Sequence, residues 1–132
     1  MAIYRLYPEA DTFITTFKSE SNAGLDEIVE IGGFPNKTIL GETSRILVKF
    51  KNTEIQSTLN NIVDNSFSAS LNYSIADATE LAESVPIYAW PLAESFTKGV
   101  GKIDDTPVDR SGATWKHRDK NRSNAWQVSV FA

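Results

Sequence analysis

The one histidine of the chain, His117, lies between Lys116 and Arg118. A catalytic triad needs a nucleophile, a base and an orienting group brought together, and no serine–acid arrangement accompanies this histidine. A solvated or interface histidine is therefore expected. Glu80 and Glu83, or Glu94 in place of one of them, could be imagined as a glycosidase pair, although carboxylates of this kind ordinarily decorate a surface. An HExxH motif, a phosphate-binding glycine loop and a dinucleotide fingerprint are all absent from the sequence. The expectation is a non-enzyme, with no catalytic residue to name. Asp104, Asp105 and Asp109 lie in one loop and could collect oxygen ligands for calcium, a hard cation that takes carboxylates and carbonyls. Their spacing is not that of an EF-hand. The alternative is a turn through Asp105-Thr106-Pro107 beside a local ion pair of Asp109 with Arg110. No other cofactor is expected.

Two further groups of residues suit binding. Tyr88, Trp90, Trp115 and Trp126 could build a platform for stacking sugars, or could fill a small core, where large rings dominate. If Ile87 faces inward along a strand, Tyr88 and Trp90 share the opposite face. That face then calls for a ligand or a neighbouring subunit. Lys116, Arg118, Lys120 and Arg122 against Asp119 give +3 within seven residues of a chain whose net charge is −4, leaving −7 for the rest. This basic stretch is either a solvated loop or a patch that docks on an acidic face of a neighbouring copy, where complementarity sets register. Nucleic acid is a weaker fit, because neither aromatic interleaving nor a nucleic-acid-binding motif accompanies the charges.

Composition narrows the class. A chain of 132 residues is long enough for one domain with its own core. It has no cysteine, so a disulfide framework and a cysteine-ligated zinc site are unavailable. The mild net charge argues against non-specific binding to nucleic acid or membrane. Met1 to Pro8 lacks the apolar core of a signal peptide, and no run approaches the ~18 apolar residues of a membrane span. Synthesis in a cytoplasm, without a signal peptide, is the expectation; an extracellular role would then need release inside a particle.

The elements that must position these residues read as mostly β. Ser44 to Phe50 is the central strand, with Ile46, Val48 and Phe50 alternating against Arg45, Leu47 and Lys49. Ile3–Tyr7, Asp11–Phe17 and Glu27–Ile31 are predicted strands before it, with turn chemistry at Asn22-Ala23-Gly24. Thr53 and Gln56 have the spacing of a capping box. Ile55, Leu59, Ile62 and Val63 then follow at helical spacing, predicting one short amphipathic helix over Glu54–Val63. Strands are expected to resume at Ser68–Ile75, where Ala69, Leu71, Tyr73 and Ile75 share a face, then at Val85–Trp90 and Ala125–Phe131. Ser95 to Gly112 is a long loop rich in Gly, Asp and Pro, of a length usually tied to function or an interface. About eight strands, one helix and no βαβ alternation predict an all-β fold, an antiparallel β-sandwich of jelly-roll type.

The order Ala10-Asp11-Thr12-Phe13-Ile14, Asn22-Ala23-Gly24, Ser44 to Phe50, a short helix, Ala69-Ser70-Leu71 and Ala113-Thr114-Trp115 resembles the DNRLRE (disaggregatase-related) domain. That resemblance implies a jelly-roll sandwich serving as a non-catalytic module in surface and polysaccharide-associated proteins. Met1 to Pro8, Glu30 to Pro35 and Gly99 to Trp115 also look like virion structural proteins of contractile-tailed phages of marine cyanobacteria and related hosts. Domains of the DNRLRE type continue past the Trp126 region with strands that close the sandwich. Residues 1–132 are thus expected to form a single domain that either belongs to a longer protein or takes its last strands from neighbours. The implied partners are copies of itself and other virion proteins. Contacts are expected through Trp90, Trp115, Lys116, Arg118, Lys120, Arg122, Trp126, Val128, Val130 and Phe131. The alternative is a carbohydrate-binding module that recognises host surface polysaccharide.

Overall fold

The computed structural model describes residues 2–34, 42–63, 66–78 and 86–127. Among them, β1 (Pro8–Thr15), β2 (Gly32–Phe34) and β3 (Glu42–Phe50) form one antiparallel sheet in the order β1-β3-β2, followed by α1 (Asn52–Asn60). The described chain is thus a small β-rich domain with antiparallel pairing and one short helix. β3 lies between the other two strands, as the alternation in Ser44–Phe50 predicts. Thr15 pairs with Ser44 and Pro8 with Phe50, with an irregularity at Glu9. Pro8 has no N–H for a ladder, and as the first residue of an edge strand it loses nothing by that.

Cross-strand partners project to the same side of a sheet. One face therefore carries Thr12, Ile14, Arg45 and Leu47, since Thr12 opposes Leu47 and Ile14 opposes Arg45. Ile14 and Leu47 pack there with Phe96, Ala113 and Trp126 as the hydrophobic core, and Trp115 leans on it. The strongly buried described positions of β3 are Ser44 and Leu47, whereas Ile46, Val48 and Phe50 are half-buried. Both faces are covered in part: Phe13 and Thr15, opposite Ile46 and Ser44, are buried on one, and the cluster around Leu47 lies on the other, which also holds Arg45 and Lys49. Arg45 fits there because its guanidinium lies 5.2 Å from the centre of the Trp115 ring, a cation–π geometry. Lys49 reaches outward to Glu9 at 3.4 Å.

What fixes the second half of the chain to the sheet is a buried amide. Asn22 is 0% exposed. Its Nδ2 donates to the carbonyls of Lys98 at 2.8 Å and Ala113 at 2.9 Å. Its Oδ1 accepts the backbone N–H of Gly24 at 3.1 Å and of Gly101 at 3.0 Å. Two donors and two acceptor sites are all that an asparagine side chain offers, so the group is saturated. The backbone N–H of Asn22 adds a bond to Asp109 O, and that of Leu25 one to Gly101 O. Gly99 has φ +79°, and a side chain there would strike the Asn22 amide; one at Gly24 would strike the carbonyls of Lys98 and Gly99. Glycine is therefore required at both places.

Several predicted elements take another form. Residues 2–7 and 27–31 are not strands, and the Asp11–Phe17 strand runs instead from Pro8 to Thr15. Thr53 lies inside α1, whose N-cap is Lys51 with no side-chain cap bond, so the capping box is not made. The helix ends at Asn60, and no residue in it is buried. The described parts of Ser68–Ile75 and Val85–Trp90 form no strand and are exposed throughout. Of Ala125–Phe131, Ala125 makes an isolated bridge with His117, and residues 128–131 lie outside the described residues.

Replacing Asn22 by Ala strands four buried backbone groups, each worth ~1–3 kcal/mol when left unsatisfied. Asn22→Ala is expected to cost more than about 3 kcal/mol in urea denaturation. Asn22→Asp, isosteric but without donors, should cost at least as much because a carboxylate then faces two carbonyls. A loss below ~0.5 kcal/mol, the range of ordinary surface changes, would contradict this role.

Candidate functional site

The aromatic residues expected to act together are divided by the fold. Trp126 belongs to the core, and its Nε1 donates to Thr114 O at 2.9 Å. Trp115 is half-buried beneath Arg45. Trp90 is 80% exposed and Tyr88 71% exposed. Ile87, expected to face inward, is 53% exposed, so the inward–outward alternation predicted for this stretch is not realised.

The basic stretch folds back on itself around Asp119. Arg118 N donates to Asn124 O and Trp126 N to Lys116 O, closing a tight antiparallel turn. Asp119 accepts from Thr97 Oγ1 at 2.6 Å, Lys120 N at 2.7 Å and Asn124 Nδ2 at 3.1 Å. These bonds to its charged form, led by that from Thr97, hold the Asp119 carboxyl below the usual aspartate range. Among the described residues, Lys116 and Arg118 meet carboxylates within the chain. Lys116 lies 3.4 Å from Glu20, which Arg110 also approaches at 3.5 Å, and Arg118 lies 3.7 Å from Glu94. Lys120 is exposed at the start of a single 3-10 turn, Lys120–Arg122. The side chain of Arg122, together with Val128, Val130 and Phe131, lies outside the described residues.

The three aspartates considered for calcium turn to separate partners. Asp104 pairs with Lys18. Asp105 Oδ2 accepts from Lys102 N at 2.8 Å, and Asp109 Oδ1 accepts from the N–H and hydroxyl of Ser111. Among the described residues no three His, Cys, Asp or Glu side chains converge as a metal site would need. Of the carboxylates considered for glycoside chemistry, Glu94 is ion-paired to Arg118, and Glu80 and Glu83 lie outside the described residues. His117 N donates to Thr114 Oγ1 at 3.1 Å, and its buried Nδ1 has no partner among the described residues.

The geometry instead singles out exposed apolar chain. Every residue of 66–75 and of 86–90 is exposed. Residues 66–75 read Ser-Phe-Ser-Ala-Ser-Leu-Asn-Tyr-Ser-Ile, an unbroken alternation of polar and apolar with no charge and no proline. Ile75 is 77% exposed, and Phe67, Leu71 and Tyr73 are exposed with it. Alternation at period 2 is the signature of a strand with one covered face, and among the described residues nothing covers it. Among the described residues, no helix is long and apolar enough to cross a membrane. No family model matches the chain, and no curated protein or solved structure matches it either.

Because the bonds from Thr97, Lys120 and Asn124 favour ionised Asp119, its contribution to stability is present above the unfolded-state pKa, about 4. It is lost as pH falls through the lower folded-state value. Asparagine can still cap the turn, so the stability gap between wild type and Asp119→Asn should be constant from pH 8 to 5. It should shrink below about pH 4. Urea midpoints at each pH measure it, and a gap that widens in acid would contradict the assignment.

Proposed function

We propose that the chain is a structural subunit of a contractile-tailed phage particle, on the tail, neck, baseplate or particle surface. It works through protein–protein contacts and performs no catalysis. The observation that carries this reading is the alternating, uncharged and wholly exposed stretch 66–75. Contiguous exposed apolar surface marks interaction sites. A segment patterned as a strand but lacking a ladder suits β-augmentation, in which main-chain hydrogen bonds come from a neighbour. In the assembled particle Ser68–Ile75 and Val85–Trp90 become strands, and the jelly-roll sandwich implied by the resemblance to the DNRLRE domain is completed there. The partners are copies of this chain and other virion proteins, not nucleic acid or membrane, and the protein reaches the virion from the host cytoplasm. Trp90, Tyr73 and Ile75 anchor the contacts, aromatic rings being the side chains that dominate interface energies. Lys120, exposed on the basic turn, supplies charge complementarity at the rim.

A second reading rests on the open faces of Trp90 and Tyr88, which suit stacking on a sugar ring. In that case the domain recognises host surface polysaccharide.

The assembly role is tested by the native mass of the chain over a concentration series, with a Tyr73→Ser/Trp90→Ser variant alongside. Defined oligomers that grow with concentration are expected for the wild type and a monomer for the variant. At concentrations where both are monomeric, their unfolding free energies should agree within ~0.5 kcal/mol, since the exchanged side chains touch solvent. A wild-type chain that stays monomeric would contradict the proposal. Such a monomer binding polysaccharide in a Trp90-dependent way would favour the second reading.

A further inference from the structure

The exposed stretch 66–75 is complementary to itself. Its apolar positions are Phe67, Ala69, Leu71, Tyr73 and Ile75, and a serine or asparagine fills each place between them. In a two-fold antiparallel pair of identical strands, directly opposed residues project to the same face. A two-fold centre falling between two residues therefore sets apolar against polar side chains throughout. A centre at Ser70 sets Ile75 against Asn65, and one at Asn72 sets Phe67 against Asp77. Centred on Leu71, Phe67 meets Ile75, the small Ala69 meets the ring of Tyr73, and Leu71 meets its own copy. The other face then matches Ser68 with Ser74 and Ser70 with Asn72, groups able to hydrogen-bond across strands.

The described residues offer this segment no ladder of their own. Thr12, Phe13, Ile14 and Thr15 of the edge strand β1 are at most 6% exposed, so no further strand can approach them. Pro8, at the other end of β1, brings no N–H. β2 is three residues long. Another exposed and uncharged stretch, 86–93, holds Pro86 and Pro91, which interrupt a ladder. Copies of net charge −4 repel one another, and 66–75 holds none of that charge. It is thus the stretch on which two copies meet with least electrostatic opposition.

We propose that 66–75 pairs with the same residues of a second copy, antiparallel and two-fold about Leu71. The inference rests on the assembly role and names the partner of that surface. Such a contact is isologous and closes at two copies, so larger assemblies grow through other contacts. A two-stranded ribbon is marginal in water by itself, which makes the pairing dependent on concentration. The apolar face that both copies build is then the surface on which further neighbours pack.

The chain has no cysteine, and Phe67, Leu71 and Ile75 are exposed, so single cysteines there report the register without disturbing the core. In the proposed pair the two copies of residue 71 stand about 4.5–5.5 Å apart at Cα, within reach of a disulfide. The two copies of residue 67, eight positions apart along the ribbon, stand about 27 Å apart. Mild oxidation at the top of the concentration series is expected to convert Leu71→Cys to a disulfide-linked dimer. Phe67→Cys and Ile75→Cys should each stay unlinked alone and cross-link with one another when mixed. Self-linking of Phe67→Cys, or no preference for Leu71→Cys, would overturn the proposal. By native mass, Ser70→Glu/Asn72→Glu should lose the dimer and Ser70→Lys/Asn72→Glu, with opposite charges across the pair, should keep it; equal loss in both would also overturn it. Oligomers without this pattern would sink the pairing and leave the assembly role standing, whereas a wild-type monomer at every concentration would contradict both.

Discussion

The organisation of this molecule depends on one buried side-chain amide. Asn22 brings the carbonyls of Lys98 and Ala113 and the N–H groups of Gly24 and Gly101 to a single point. None of these four backbone groups has a strand or helix partner, because residues 95–112 form no regular element. In a buried setting each would otherwise be stranded at a cost of ~1–3 kcal/mol. The amide therefore takes the place of a sheet ladder. It needs Gly24 and Gly99 because two backbone segments approach it too closely to admit a Cβ. With residues 97–114 held there, Phe96 and Ala113 arrive on Ile14 and Leu47, and Trp126 closes the cluster through its bond to Thr114.

The consequence is a protein with two unlike parts. One is a small knot of sheet, loop and tight turn in which the Asn22 amide is fully bonded and Ile14, Leu47, Phe96, Ala113 and Trp126 form the core. The other is extended chain rich in large apolar side chains that the knot does not cover. Ile3 and Tyr7 near the start, Tyr73 and Ile75, and Tyr88 and Trp90 are all exposed. Leaving so much alternating apolar chain in water is costly for a free monomer and normal for a subunit whose neighbours complete its layers. The surface ion pairs of the basic turn add little to stability at this exposure. Their effect is to spend Lys116 and Arg118 inside the chain, so that electrostatics toward partners falls to the cations left outward.

How much of this was legible in the sequence differs by element. The central strand was, because alternation over Ser44–Phe50 is a local signal that the β1 and β2 pairings reinforce. How far each face is covered is not a local signal: the side of Ile46 carries the buried Phe13 and Ser44, and the side of Leu47 packs on Phe96 and Trp126, where Trp115 gives Arg45 a partner. The helix was found, and its start misplaced, because the capping-box spacing at Thr53 carries no weight when the chain already turns at Lys51. The weight on Asn22 was not legible. Asn-Ala-Gly announces a turn through the local bond to Gly24, but the other partners of its side chain stand 76, 79 and 91 residues away. Which aromatic rings are buried was not legible: Trp90 is open, whereas the core contacts of Trp115 and Trp126 come from long-range packing that spacing does not report.

The central claim is that one chain secures its knot by itself but leaves residues 66–75 and 86–90 for others to cover. Backbone amide hydrogen exchange on the isolated chain at low concentration, and again in the assembled state, tests it most directly. The account predicts slow exchange at Gly24 and Gly101 in both states, with fast exchange over 66–75 and 86–90 that becomes slow only on assembly. Strong protection of 66–75 in the dilute chain would contradict it, because the chain would then be supplying that strand's partner itself.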